Sequence, residues 1–304
     1  TIGASSTPPT PSMHANHRQR PRYVLTMACR SARGQVAGVV AFLERHGAYI
    51  EEIAAFDDQP TTRFFLRVGF HGTADLHLGD EDLRRDFKPT AAQLGATEWR
   101  IHDLAQPTRV LLMVSRLGHC LQDLLAGWQR GELAMEPAAV VSNHEDMRPL
   151  AESYGLPYHY MPLTPETKHQ QEQQLLKLVE AHEVELVVLA RYMQVLSSGL
   201  CAQLRGRVIN IHHSFLPGFK GARPYHQAFE RGVKLIGATA HFATPDLDEG
   251  PIIDQAAERV DHAHGPEDLL NVGRRMECAV LSRALRDMLQ HRVFINDQRT
   301  VVLR

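Results

Sequence analysis

No apolar run in the 304 residues is long enough to cross a bilayer, and none of the four cysteines, Cys29, Cys120, Cys201 and Cys278, has a partner at CxxC spacing. The first absence argues against a membrane role. The second argues against a zinc site or a disulfide framework and suits reduced thiols in a cytoplasmic compartment. Excess charge is missing too: 33 Lys and Arg face 35 Asp and Glu, a net charge of −2. So nearly neutral a chain offers no basic surface for nucleic acid or for an anionic membrane. The amino terminus has no apolar segment of the kind that directs secretion. Its prolines at positions 8, 9 and 11 suit neither helix nor strand, so residues 1–21 are expected to be a disordered tail, with Met13 a candidate native start. Repeats and low-complexity tracts are lacking beyond that tail.

What is present is ordinary globular composition, 43% hydrophobic and 22% charged, over a length that suits two domains. Residues 22–104 read as strand, helix, strand, strand, helix, strand. The strands fall at 23–28, 49–57, 62–70 and 97–102, and the helices at 34–46 and 81–94, the second with Pro89 as an expected kink. This βαββαβ order is ferredoxin-like. A short joint with Pro107 separates it from residues 109–304, where strands at 110–114, 138–141, 158–161, 186–189, 208–212 and 234–241 alternate with helices. One helix is placed at 165–181, with Thr164 as its cap and Pro165 at its first position, and a long one at 266–291. Such alternation predicts an α/β doubly wound, mostly parallel sheet, with ligand at the carboxyl ends of its strands.

Residues 208–217, VINIHHSFLP, hold the densest unusual chemistry. On a strand, Asn210 and His212 share a face and His213 points the other way, which makes the two histidines a poor metal chelate. An amide and an imidazole side by side suit an oxyanion formed at a carbonyl carbon. They would equally serve as caps at a strand end. The loop 243–250 carries Asp246, Asp248 and Glu249, which read either as solvated turn acids or as the source of a carboxylate that orients His212.

Taken together, Asn210-Ile211-His212, then Ser214-Phe215-Leu216-Pro217, then Leu247-Asp248 with Gly250-Pro251-Ile252-Ile253, resemble the folate-dependent formyltransferase family over residues 110–304. That family's catalytic Asn, His and Asp fall on Asn210, His212 and Asp248. The longer stretches SRLGHCLQDLL (115–125), ARYMQVLS (190–197) and GARPYHQAFERGVKLIGATAHF (221–242) are similar to its hydrolase branch, the formyltetrahydrofolate deformylases. In these an ACT domain precedes the formyltransferase fold. His213 stands where the transferases carry proline. At the turn 115–120, where the glycinamide ribonucleotide enzymes cradle a phosphate with glycines, only Gly118 remains among Arg116, Leu117 and His119.

The resemblance implies hydrolysis of 10-formyltetrahydrofolate to tetrahydrofolate and formate, with no metal or organic cofactor. It implies a folate pocket formed by Arg191, Met193, Val195 and Leu196 on one loop and Ala243, Thr244 and Leu247 on another. His119, His213 and Lys220 are candidates for the mouth of the site; a helix-start histidine and a solvated lysine are the plainer readings. The ACT turn, residues 29–34, keeps Gly34 but has Ser31 where that family's ligand-holding acid stands. An effector site and a pairing module therefore both stay open, and a homodimer or homotetramer through ACT domains is expected. The partner is a small folate, with neither nucleic acid nor membrane. Formyl transfer to an amine, or folate binding without turnover, are the competing readings.

Overall fold

The computed structural model describes residues 21–72, 80–216 and 224–304. The tail expected over residues 1–21 lies, but for residue 21, outside them, as does Lys220. Among the described residues no helix is long and apolar enough to cross a membrane.

The first unit contains β1 (Arg22–Arg30), α1 (Gln35–Arg45), β2 (Ala48–Asp58), β3 (Arg63–Gly72), α2 (Asp80–Gln93) and β4 (Ala96–Asp103). Its strands form one antiparallel sheet in the order β2-β3-β1-β4. Leu25 and Met27 of β1 meet Val39, Phe42 and Leu43 of α1 and Phe87 of α2 in its core. At the turn after β1, the Ser31 hydroxyl donates to the Asp57 carboxylate.

The second unit contains β5 (Thr108–Val114), α3 (His119–Gln129), β6 (Met135–Ser142), α4 (Arg148–Ser153), β7 (Tyr158–Tyr160), α5 (Lys168–Ala181), β8 (Leu186–Leu189), α6 (Ser198–Gln203), β9 (Val208–His212), α7 (Pro224–Glu230), β10 (Leu235–Phe242), β11 (Ile252–Arg259) and α8 (Pro266–Leu289). Its seven strands run in the order β11-β10-β9-β8-β5-β6-β7, parallel from β9 to β7, with β10 and β11 antiparallel to their neighbours. Period-two alternation splits β5 between two cores. Val110, Leu112 and Val114 pack with α3 and α8, while Leu111 and Met113 pack with α5 and α6. The result is a sheet covered on both faces.

Several boundaries differ from those the sequence suggests; β6, for one, starts at Met135 and not at 138. Helix α5 starts at Lys168, not Pro165, because Thr164 and Thr167 bond to each other in a turn: the Thr164 amide donates to Thr167 Oγ1 at 2.9 Å. The chain also ends in an unforeseen hairpin, β12 (Val293–Asn296) and β13 (Arg299–Val302).

That hairpin covers the open face of the first sheet. Phe294, Val301 and Leu303 pack on Ala28, Ala54 and Phe65. Buried Arg67 donates to the Gln290 carbonyl at 2.9 Å and to Glu52 at 2.6 Å, and Arg292 closes on the same carboxylate at 2.9 Å. Asn296 reaches Asp58 at 2.7 Å. Beside them His102 of β4 stacks on His291, ring centroids 3.5 Å apart.

Burial, with the nearby guanidinium groups, pushes His102 down to about 3 and His291 down to about 4. Both rings are neutral when folded, whereas in the unfolded chain they take protons near pH 6.5. Between about pH 6.5 and 4 the unfolded state therefore binds more protons, and stability falls as pH falls. We expect the thermal midpoint to drop between pH 7 and pH 5. His291→Asn, which tolerates the left-handed backbone (φ 53°) at that position, is expected to flatten the slope. An unchanged slope in the variant would place the acid sensitivity elsewhere.

Candidate active site

Strand β9 sends Ile209 and Ile211 into the α3–α8 core, so Asn210 and His212 face the other way. Strand β10 likewise buries Ala238, Ala240 and Phe242 in that core, which turns Thr239 and His241 to the same side. The antiparallel register sets Asn210 opposite His241 and His212 opposite Thr239. Cross-strand partners lie on one face of a sheet, so Asn210, His212 and His241 form one patch.

The loop 243–250 then folds back over the strand that it leaves. The Phe242 amide donates to the Pro251 carbonyl at 2.9 Å, and the Ala243 amide to Val208 at 2.9 Å. Gly250 lies so close to the chain that a Cβ there would sit 1.7 Å from the Phe242 carbonyl oxygen. Within the clamped loop Asp248 takes a left-handed backbone, φ 57°. Of the three acids, Asp246 and Glu249 are exposed and Asp248 turns inward. Its Oδ2 is 3.2 Å from His212 Nδ1, and its Oδ1 is 3.7 Å from His241 Nε2. Burial alone would raise the carboxyl, but the two imidazoles outweigh it and hold it well below the usual carboxylate range.

His241 Nδ1 lies 2.9 Å from the Phe242 carbonyl, so that nitrogen carries its proton. In the neutral ring Nε2 is then an acceptor, 3.2 Å from Asn210 Nδ2. One N–H of the Asn210 amide is thereby anchored and the other is left for a ligand. His212 Nε2 is buried without a protein partner. The patch thus offers an amide and an imidazole to one oxygen, with a carboxylate behind the imidazole.

These groups open into a cavity of about 530 Å³. All the residues expected to meet folate, Arg191, Met193, Val195, Leu196, Ala243, Thr244 and Leu247, line it together with Asn210, His212 and Asp248. Leu196 belongs at once to the cavity wall and to the α5–α6 core. The loop between β8 and α6 runs one residue past Leu196 to Ser197, whose hydroxyl caps α6 by accepting from the Leu200 amide. Ser115, at the end of β5, braces that loop: its amide donates to the Arg191 carbonyl at 3.2 Å and its hydroxyl accepts from the Met193 amide at 3.1 Å.

His213 does not turn away as strand alternation suggests. It also lines the cavity, its ring 4.9 Å from that of His212, because β9 ends at His212 and the chain bends there. Burial and the charge of Arg191 push it down to about 4, so it is neutral near pH 7. His119 is not in the cavity wall. Its Nε2 lies 2.6 Å from Glu277 of α8. His241, Tyr225 and Glu277 are polar groups of the site that sequence reasoning did not assign.

His119, Cys120 and Glu277 present donor atoms within 4.8 Å of one another. They make a poor metal centre. The Glu277 carboxylate already accepts from two neighbours, and a hydrogen bond with Cys278, together with burial, pushes the Cys120 thiol well up, away from the thiolate a metal needs.

Comparison with known proteins fits this geometry. The formyl transferase family model matches residues 108–285. A formyltetrahydrofolate deformylase of Corynebacterium sp. (strain P-1) is 50% identical over 93% of this chain and 98% of its own. The crystal structure of the formyltetrahydrofolate deformylase from Burkholderia mallei superposes with a TM-score of 0.89 at 56% identity, over 93% of this chain and all of that one. That from Pseudomonas syringae pv. tomato gives 0.90 at 43%, over 95% and 96%.

Gly250→Ala tests the clamp. The added methyl must push the loop off β10, so amide hydrogen exchange in residues 242–250 is expected to rise at least about tenfold while that of β5 and β8 holds. Unchanged exchange in the loop would show that the close approach does not fix Asp248.

Proposed function

The chain belongs to the formyltetrahydrofolate deformylase family, and from that premise we propose that it hydrolyses 10-formyltetrahydrofolate to tetrahydrofolate and formate in the cavity around Asn210, His212 and Asp248. The observation that carries the reading is the carboxylate of Asp248 set between two imidazoles, one of which is anchored to Asn210. Asp248 stays ionised at neutral pH, so it orients His212 through Nδ1. A water between Asp248 and His212 attacks the formyl carbon. The oxyanion that forms takes the free N–H of Asn210 and Nε2–H of His212. The proton that the water gives up passes to the folate nitrogen, and the C–N bond breaks to release formate.

The flat ring lies against Met193, Val195, Leu196 and Leu247, with Arg191, Ala243 and Thr244 offering backbone groups. Proton transfer and oxyanion binding are all the chemistry demands, so no metal or organic cofactor takes part. The four free cysteines suit a reducing, cytoplasmic setting.

The first unit serves as an ACT domain that pairs copies of the chain into a dimer or tetramer. In its support, β2 is an edge strand that exposes Tyr49, Ile53 and Phe56. Ile53→Glu is expected to lower the mass measured by light scattering; an unchanged mass would move the contact off this edge.

Formate release from 10-formyltetrahydrofolate, followed with a chelator and no amine present, tests the reaction. Asn210→Ala and His212→Ala are expected to lower kcat by about 10²–10³, and Asp248→Asn by a comparable or larger factor, all three remaining folded. Near-normal turnover in Asp248→Asn would sink the assignment, and so would turnover that stops with the chelator.

A further inference from the structure

The cavity has two unlike ends. At one, Met193, Val195 and Leu247 are about half exposed, at 54%, 48% and 60%. At the other stand Arg191, His213 and Tyr225, each no more than 8% exposed. The chain is open to solvent on the apolar side and closed on the polar side.

The closure is organised from behind by one carboxylate. Glu277 on α8 is 1% exposed and has no contact with Asn210, His212 or Asp248 among its described bonds. It accepts from Tyr225 Oη at 2.7 Å and from His119 Nε2 at 2.6 Å, and Arg191 Nε is 3.4 Å away. These partners come from three separate segments, α7, the first turn of α3, and the loop after β8. Burial would raise the carboxyl. The hydrogen bond from His119, the charge of Arg191 and the hydroxyl of Tyr225 outweigh it, so Glu277 remains charged. Helix α8 is shaped for this. Gly273, one turn before Glu277, is where the Tyr225 ring rests, and a Cβ there would stand 2.1 Å from Tyr225 Cζ. Arg191 holds a left-handed backbone, φ 68°, unusual for a bulky residue, and its Nε faces the Glu277 carboxylate.

From the closed end and the carboxylate behind it, and resting on the hydrolase reading above, we infer that Glu277 is a positioning residue that sets nucleophile specificity: by holding Tyr225 and Arg191 across the polar end of the cavity, it leaves room there for water and not for an amine. Folate enters by the open end and occupies it. A nucleophile must therefore come from the closed end, and only one already small enough to be enclosed with the substrate is on hand. If the end were opened, an amine would react in water's place. Its nitrogen would form the new bond to the formyl carbon, the C–N bond to folate would break, and the folate nitrogen would take the proton that the amine loses.

Methoxyamine, uncharged at neutral pH and larger than water, is the probe. The full-length protein is given 10-formyltetrahydrofolate with and without it, and formate and N-methoxyformamide are both measured. The wild type is expected to yield formate alone. Tyr225→Ala and Glu277→Ala are expected to divert formyl to the amine at least about tenfold over the wild-type background. Tyr225→Phe keeps the ring but loses its hydrogen bond to Glu277, and is expected to divert formyl in the same direction by a smaller factor. Should Glu277→Ala fail to fold, Glu277→Gln, of equal size, replaces it. A merely structural role for the cluster would lower the melting temperature of these variants and leave the product ratio unmoved. Formate alone from folded variants, or amide from the wild type, would overturn the inference while leaving the hydrolase reading intact. A wild type that releases no formate would overturn both.

Discussion

The site depends on the antiparallel pairing of β9 with β10. In a wholly parallel sheet the strand after β9 would run in the same direction and present its end beside the end of β9. Here β10 runs back, so His241, near its end, lies opposite Asn210, and the loop that follows starts beside the beginning of β9. Only from there can a loop of eight residues return across the face and deliver Asp248 to both imidazoles. The patch thus follows from strand direction first and from side-chain identity second.

One buried carboxylate, Asp248, lines the cavity and a second, Glu277, stands behind its wall, and their surroundings differ. Removing either from water costs several kcal/mol, a cost recovered only where donors saturate it. Glu277 accepts from the Tyr225 phenol and the His119 imidazole, with the Arg191 guanidinium 3.4 Å away. Asp248 has the His212 imidazole at 3.2 Å and the His241 ring farther off at 3.7 Å, and it holds a left-handed backbone that costs roughly 1–3 kcal/mol. Arg191 adds a second residue of the same kind to the same wall. Among the described residues only six non-glycine positions have positive φ, and two of them meet in this cavity. Strain collects where geometry has to be held against preference.

Much of this was legible in the chain. Asn210 and His212 are two apart on a short strand, and Asp248 lies in a loop bounded by glycine and proline, so local spacing suffices to single them out. His241 was not, because its role comes from a register that strand periodicity does not contain, and the expectation of a mostly parallel sheet hid it. Glu277 did leave a signal. It holds an apolar-stripe position on α8, four residues before Leu281 and seven before Ala284, where a charge needs a buried partner. The partners, His119 and Tyr225, stand 158 and 52 residues away, which no local pattern supplies. The terminal hairpin, Val293–Asn296 and Arg299–Val302, has strands of only four residues, too short for an alternation to single out, and nothing past residue 291 is assigned from the sequence.

Helix α8 ties these elements together. Its 24 residues make a rod of about 36 Å. Near the start, Leu270 lines the cavity and Gly273 seats Tyr225; at the middle, Glu277 holds the closed end. Further on, Val280, Leu281, Ala284 and Leu285 fix the rod in the core of the sheet, and just past its end the Gln290 carbonyl receives Arg67 of β3 while His291 stacks on His102 of β4. A helix so packed cannot bend at one place without disturbing its contacts at the next. The support behind the closed end of the cavity and the surface that grips the four-stranded unit are therefore parts of one rigid element, and the position of each is set by the same buried side chains.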